Sequence, residues 1–294
     1  MSRVSSARRM SGRSVSGVVA AGVVAGVFAA VSLSGTAGAS GGSGGLGGSG
    51  SGSSAKPTIV LEHGAFADTA SWTGVIERLE KSGYPVVAAA NPLRGPASDA
   101  GYLRSVVDRI DGPVVLVGHS YGGTVISDAA VGQEDKVKAL VYIAAFLPDT
   151  GETSLGLSNK FPGSTLGDAI EAVPYSLPGG ASGNDVYINS AKFRQQFAAD
   201  VSRRQAALMA ATQRPIAAAA LEEKATKAAW KTIPSWSLIA TQDLNIPPAS
   251  QRFMSERAKA HTVEVKASHA VPVSRPDVVS RVIQQAATAT ATAR

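Results

Sequence analysis

Short apolar runs alternate along this chain with helical segments of about ten residues, and this rhythm restricts the possible folds more than any other feature. A continuous apolar run is typical of a strand buried on both faces, and helices between such runs favour a parallel sheet covered on both sides. The sequence therefore predicts an α/β fold with a mostly parallel central sheet flanked by helices. The apolar runs are 58–62, 84–90, 114–117, 137–146, 235–241 and 262–266, and the helical segments are 72–81, 100–110, 123–130, 250–260 and 276–286.

Residues 148–232 break this rhythm. The stretch begins with loops rich in Pro, Gly, Ser and Asn and becomes rich in Ala between 190 and 230, where Pro215 is expected to interrupt a helix. We interpret it as a helical cap, inserted before the last two strands of a domain that spans 56–286. The low-complexity tail at 287–294 is expected to be disordered.

The first 39 residues have the layout of a secretory signal peptide. A start with four arginines precedes an uncharged apolar stretch at 15–33, and Ala37-Gly38-Ala39 offers a cleavage site. Residues 40–55 are almost only Gly and Ser and predict a flexible linker. We therefore expect a secreted protein with no stable membrane anchor after cleavage. A transmembrane anchor is the alternative, because the apolar stretch is nearly long enough to span a bilayer, and the export route (Sec or twin-arginine) stays open.

The net charge of +6 comes mainly from this signal. The signal contains four of the 28 basic residues and no acidic residue, so 24 basic and 22 acidic residues are left in the rest of the chain. Without a basic excess, nucleic acid is not an expected partner. Cysteine is absent, which excludes thiol catalysis, thiolate metal sites and a fold that depends on disulfides.

The segment Gly118-His119-Ser120-Tyr121-Gly122 lies between a predicted strand and a predicted helix. A G-x-S-x-G pattern in this context indicates a nucleophile elbow, a sharp turn that strains the serine backbone and exposes its hydroxyl above the sheet. The flanking glycines leave room for the turn, and the dipole of the following helix favours charge developing near Ser120. The pattern predicts Ser120 as a nucleophile; the alternative is a glycine-rich turn with only a structural role.

Together with His63-Gly64-Ala65 and the later Ser71-Trp72, this elbow resembles the α/β-hydrolase superfamily over residues 57–286. The similarity is to the small-cap carboxylesterase branch, which includes plant-type methylesterases and hydroxynitrile lyases. The resemblance implies the α/β-hydrolase fold and a triad in the order nucleophile, acid, histidine. It also implies an oxyanion hole built from the backbone N–H groups of Ala65 and Tyr121.

Two histidines follow Ser120 in the chain, His261 and His269. His269 lies after the last predicted strand, in a loop that resembles the catalytic-histidine loop of the family, whereas His261 precedes that strand and suits a solvated surface. Asp243 follows the strand before it and resembles the family's acid loop. Its alternative role is a turn residue or helix cap. We predict the triad Ser120, Asp243 and His269.

The predicted chemistry is hydrolysis of small carboxylic esters through an acyl-enzyme, without a cofactor or a metal. Dehalogenases and epoxide hydrolases of similar fold have Asp at the elbow, so Ser120 argues against both. Lyases of this branch have a Thr and a Lys where this chain has Gly64 and Ala270, so the resemblance favours an esterase over a lyase. The alternatives are a cofactor-free perhydrolase and a non-catalytic ligand-binding homologue. Small esters are the expected partners, and no oligomeric state is predicted. The proposed pocket residues are Phe66, Trp72, Phe146 and Leu147.

Overall fold

Six parallel strands form the central sheet of the protein, seen in a computed structural model that describes residues 56–291. The predicted signal at 1–39, the linker at 40–55 and the last three residues lie outside the described part. Among the described residues, no helix is both long and apolar enough to cross a membrane. The strands of the whole described part are β1 (Thr58–Glu62), β2 (Val86–Ala89), β3 (Val114–His119), β4 (Val137–Ile143), β5 (Ile170–Ser176), β6 (Ser182–Ile188), β7 (Ile216–Ala217), β8 (Ser235–Ala240) and β9 (His261–Val265).

The order of strands in the central sheet is β2-β1-β3-β4-β8-β9, and every neighbouring pair is parallel. Helices cover it, so the predicted fold class is confirmed. The helices are α1 (Thr73–Lys81), α2 (Pro96–Asp108), α3 (Tyr121–Ala129), α4 (Ser154–Ser158), α5 (Ser190–Phe197), α6 (Arg203–Thr212), α7 (Ala218–Glu222), α8 (Pro248–Arg257), α9 (Val271–Ser274) and α10 (Pro276–Ala291).

The central strand β3 is buried along its whole length because apolar layers cover both of its faces. Leu116 belongs to the cluster that includes residues of α2 and α3, while its neighbours Val115 and Val117 belong to the cluster that includes residues of α1 and α10. Successive side chains of a strand point to opposite faces, which explains why a continuous apolar run was needed here.

The segment between β4 and β8 is not wholly helical. It contains a second, antiparallel sheet in the order β5-β6-β7, and the predicted long Ala-rich helix is divided into α5, α6 and α7 with β7 between the last two. Strands β5 and β6 form a hairpin around Pro178-Gly179-Gly180, and both glycines have a positive φ. Pro and Gly favour such a turn, but the sequence analysis did not predict this hairpin. The predicted helical cap did not include this small sheet, although the segment also contains α4, α5, α6 and α7.

Helix α10 continues to Ala291, so the prediction that disorder begins at residue 287 is wrong for 287–291. Ala286 and Ala287 are buried in the same apolar cluster as Val279 and Ile283, which holds the helix against the sheet. Alanine is also the strongest helix former, so the low-complexity composition favours continuation of the helix.

Candidate active site

Ser120 occupies the sharp turn between β3 and α3. Its backbone has φ 55° and ψ −124°, a strained conformation for a residue with a side chain. The flanking glycines allow close approach of the backbone: a Cβ on Gly118 would lie 2.6 Å from the Gly122 carbonyl carbon, and one on Gly122 would lie 2.5 Å from the Glu62 carbonyl oxygen. The local sequence therefore forces the elbow and places the serine at the carboxyl edge of the sheet.

The loops after β8 and β9 bring an acid and a histidine together. Asp243 and His269 are 26 residues apart in sequence, and His269 Nδ1 lies 2.6 Å from Asp243 Oδ2, with both side chains buried. A hydrogen bond of this kind holds the imidazole in the tautomer that leaves Nε2 free to accept a proton. The predicted acid and base therefore meet in the structure.

Further donors fix the carboxylate of Asp243. Its Oδ1 accepts hydrogen bonds from the backbone N–H groups of Asn245 (2.7 Å) and Ile246 (3.0 Å). Its Oδ2 accepts a second bond from Gln251 Nε2 at 2.9 Å. All three partners are donors, so both carboxylate oxygens of Asp243 act as acceptors and the side chain is held in place.

His119, the residue before Ser120, contacts the loop that contains His269. Its Nε2 lies 2.9 Å from the His269 carbonyl oxygen, and the two rings are 4.8 Å apart. Burial lowers the pKa of His119 well below its ordinary value, so the ring stays neutral and donates from Nε2. Phe197 packs edge-on against His269 at 4.9 Å, and its carbonyl accepts from the Ala270 N–H. These contacts hold the His269 loop beside the elbow.

The Ser120 hydroxyl itself makes no hydrogen bond among the described residues. The structure thus forms the acid–histidine half of the predicted triad and places the serine next to His119, which contacts His269. Catalytic hydrogen bonds are often long without substrate and tighten when it binds.

The loop after β1 is held by His63. The backbone N–H of Asn91 donates to His63 Nε2 at 3.1 Å, so His63 Nδ1 carries the proton and donates to the Gly64 carbonyl at 2.9 Å. Asn91 Nδ2 in turn donates to the His63 carbonyl at 2.9 Å. These bonds hold the loop in which Gly64 lies close to Ser120. Among the described residues, the N–H groups of Ala65 and Tyr121 donate to no protein acceptor.

Acidification is expected to destabilise the protein through His63. Burial lowers the pKa of His63 from 6.5 to about 4, so the neutral ring stabilises the fold fully above pH 6.5 and the contribution is lost as the pH falls toward 4. We expect the free energy of unfolding to fall by roughly 2–3 kcal/mol over this interval. Urea unfolding at a series of pH values measures it. The variant His63→Gln cannot titrate, so an equally steep fall in that variant would contradict the assignment to His63.

Gly64 is expected to tolerate no side chain. A Cβ there would lie 2.6 Å from Ser120 Cβ and 2.8 Å from the His119 carbonyl oxygen, so Gly64→Ala must displace the loop after β1 from Ser120. A displacement of about 1 Å can lower the rate about 100-fold, and we expect kcat/KM for a small ester to fall by that order. The control is Gly101→Ala in α2, where a Cβ meets nothing within 4 Å. It should keep full activity and raise the free energy of unfolding by about 0.5–1 kcal/mol. Equal effects of both variants would refute the steric argument.

A small pocket opens at Ser120. It has a volume of about 30 Å³ and a mostly apolar lining that includes Ser120, Ala65 and Tyr121. Phe66 and Phe146 line it as predicted. Trp72 and Leu147 do not: both are buried in the apolar clusters, Trp72 beneath His119 at 6.3 Å and Leu147 beside Met254. The pocket residues that sequence reasoning missed are Ser154, Leu155, Ser158, Leu166, Leu221, Asn245 and Ile246.

The pocket residues that were not predicted come from two parts of the chain. Ser154, Ser158 and Leu221 come from short helices of the inserted segment, whose position over the sheet no local pattern revealed. Asn245 and Ile246 follow Asp243 in the acid loop, and their closeness to the predicted acid was the available signal. Apolar residues just past strand ends, such as Leu147, could face either the pocket or the core, and only packing decides between them.

A serine on a strained elbow, beside a buried Asp–His pair at the carboxyl edge of a parallel sheet, defines a hydrolase of the α/β class. Residues 59–282 match the model of the alpha/beta hydrolase family, and the chain belongs to that family.

Relatives match most of the chain. Alpha/beta hydrolase nvfD from Aspergillus novofumigatus is 29% identical over 79% of this chain and 97% of its own length. A pyrethroid hydrolase from Sphingobium wenxiniae is 29% identical over 79% of this chain and 88% of its own length. Among solved structures, polyneuridine aldehyde esterase has a TM-score of 0.68 at 21% identity and covers 78% of this chain and 98% of its own, which supports the fold. Shorter matches to methylesterases and an alpha-hydroxynitrile lyase of Arabidopsis thaliana confirm the predicted resemblance to that branch.

Proposed function

We propose that the protein is a serine esterase that hydrolyses small carboxylic esters, with Ser120 as nucleophile, His269 as general base and Asp243 as the acid that orients His269. The observation that carries this proposal is the 2.6 Å hydrogen bond between Asp243 Oδ2 and His269 Nδ1, formed in loops beside the elbow serine. Relatives named as hydrolases and esterases support the reaction class.

The proposed reaction has two halves. Ser120 Oγ attacks the ester carbonyl carbon while His269 Nε2 takes the hydroxyl proton, and collapse of the tetrahedral intermediate breaks the bond to the alcohol, which leaves with that proton. A water molecule then attacks the acyl-enzyme, His269 again takes a proton, and the carboxylic acid is released as Ser120 is restored. Asp243 stabilises the imidazolium that forms in each half.

The oxyanion of each intermediate is proposed to bind between the N–H groups of Ala65 and Tyr121. Both residues line the pocket with Ser120, and neither N–H has a protein acceptor among the described residues. Tyr121 is the first residue of α3, so its N–H points out of the helix start, where the helix dipole adds positive potential. Two such donors stabilise the negative charge that develops during acyl transfer.

The size of the pocket supports a small substrate. A volume of about 30 Å³ holds only one or two water-sized groups, and the aromatic and aliphatic lining favours short apolar acyl or alcohol groups. A series of p-nitrophenyl esters of increasing acyl length tests the proposal through kcat/KM. We expect a maximum at short chains. A maximum beyond about twelve carbons would refute the small-pocket argument, and an absence of turnover with well-folded protein would refute the esterase.

Residues 1–39 lead us to propose that the enzyme acts outside the cell that makes it. The arginine-rich start, the apolar stretch and the Ala37-Gly38-Ala39 site support export followed by cleavage. Mass spectrometry of protein from the culture medium should find Ser40 as the first residue. Retention of the intact protein in the cell would contradict the proposal.

A further inference from the structure

Asn245, one of the residues that line the largely apolar pocket, has an unsatisfied polar side-chain atom. The residue lines the pocket together with Ser120 and is only 3% exposed. Its side-chain nitrogen Nδ2 has no hydrogen-bond partner among the described residues. A buried donor without an acceptor is costly, so such groups in native proteins call for an explanation.

The other polar atoms of Asn245 are all occupied. Its backbone N–H donates to Asp243 Oδ1, and its carbonyl accepts from the hydroxyls of Ser158 (2.7 Å) and Ser164 (3.0 Å). Its side-chain oxygen Oδ1 accepts from Gln196 Nε2 at 2.7 Å. The residue is therefore held rigidly, and Nδ2 is the single polar atom of Asn245 left without a partner.

The orientation of the amide is also determined. Gln196 Nε2 donates to the Leu244 carbonyl at 2.9 Å, and a carbonyl can only accept, so the atom facing Asn245 is the nitrogen of Gln196. The Gln196 oxygen accepts from the Thr165 hydroxyl at 2.8 Å, which agrees with this assignment. Asn245 must then present its oxygen to Gln196 and keep its NH₂ group on the other side.

We propose that Asn245 is a specificity-determining residue whose Nδ2 donates a hydrogen bond to a second acceptor oxygen of the substrate, such as an ether, keto or hydroxyl oxygen. This inference rests on the proposed esterase function and narrows its substrate class to small esters with an oxygen on the acyl or alcohol chain. A site that is built to hydrogen-bond a polar group disfavours the apolar analogue, because the buried donor then stays unpaired.

The test compares isosteric esters that differ by exchange of one CH₂ group for oxygen. Ethyl 3-methoxypropanoate and ethyl pentanoate place the exchange in the acyl chain, and 2-methoxyethyl acetate and butyl acetate place it in the alcohol. For each pair, the ratio of kcat/KM values is measured in the wild type, in Asn245→Leu, which keeps the volume, and in Asn245→Ala as a second variant. We expect the ratio for one pair to fall about five- to tenfold in both variants, the effect of one hydrogen bond.

The control is Ser164→Ala, which removes a bond to the Asn245 carbonyl but keeps the amide, and Ser164 does not line the pocket. Its ratios should match the wild type. Unchanged ratios in the Asn245 variants, with all four esters still hydrolysed, would overturn the role of Asn245 and leave the esterase standing. Hydrolysis of none of the four esters by the wild type would overturn both proposals.

Discussion

Replacement of Ser120 by alanine is expected to lower kcat for a small ester by about 10⁴- to 10⁶-fold, because no acyl-enzyme can form. Residual activity would come from the oxyanion donors and binding alone. The substitution adds no atoms. At φ 55° alanine is as strained as serine, so the backbone strain at this position does not change. The fold is therefore expected to persist, with little change in Tm.

A fluorophosphonate that reacts with activated serines provides a second measurement on the same variant. The wild type should be labelled once per chain, and Ser120→Ala should not be labelled. The matched control is Ser127→Ala: Ser127 lies in α3, and its hydroxyl bonds the Gly123 carbonyl and Tyr142. That variant should still be labelled. Labelling of Ser120→Ala, or a loss of activity of less than about 100-fold, would rule out Ser120 as the nucleophile.

The second large effect is expected for Asp243→Asn, with a fall in kcat of about 10⁴-fold. The N–H groups of Asn245 and Ile246 fix an oxygen at the Oδ1 position, so the new NH₂ group must take the place of Oδ2 and face His269 Nδ1. The new NH₂ group and a protonated Nδ1 of His269 are both donors and cannot form a hydrogen bond with each other. His269 then adopts the other tautomer, with its proton on Nε2, and cannot accept the proton of Ser120.

Asp200→Asn is the matched control for this change. Asp200 bonds the hydroxyl and the backbone N–H of Ser268, the residue before His269, so the same substitution is made beside the same loop. Its effect on kcat should stay below about tenfold, since only the support of the loop is weakened. Steady-state kinetics with p-nitrophenyl acetate measures both variants. Similar losses in the two would mean that Asp243 has no special role in orienting His269.

Much of the central sheet could be predicted from the sequence because the evidence for it is local. The strand predicted at 58–62 is observed at Thr58–Glu62, and that predicted at 114–117 is observed at Val114–His119. Both are buried on two faces, so their central residues, Ile59–Leu61 and Val114–Val117, are all apolar and the runs stood out. The hairpin of β5 and β6 is largely exposed, so burial imposed no such pattern on it and it was missed.

The candidate site also has a part that a local sequence pattern predicts and a part that it does not. The elbow is encoded by five consecutive residues, so it was evident in the sequence. The partners Asp243 and His269 were predicted only through resemblance to a family, since no local pattern joins residues separated by 26 positions. Trp72 and Leu147 show the limit of placing apolar residues by type, because the apolar core and the apolar pocket select the same side chains.

The sequence by itself determined the alternation of strands and helices, the strained turn at Ser120 and the close backbone approach that its glycines permit. These follow from local sterics and from the burial of whole elements. The tertiary structure alone decided which distant loops meet at the edge of the sheet, how small the pocket is, and which donor of Asn245 is left without a partner. Those properties depend on contacts between residues far apart in the chain, and such contacts exist only once the layers have packed.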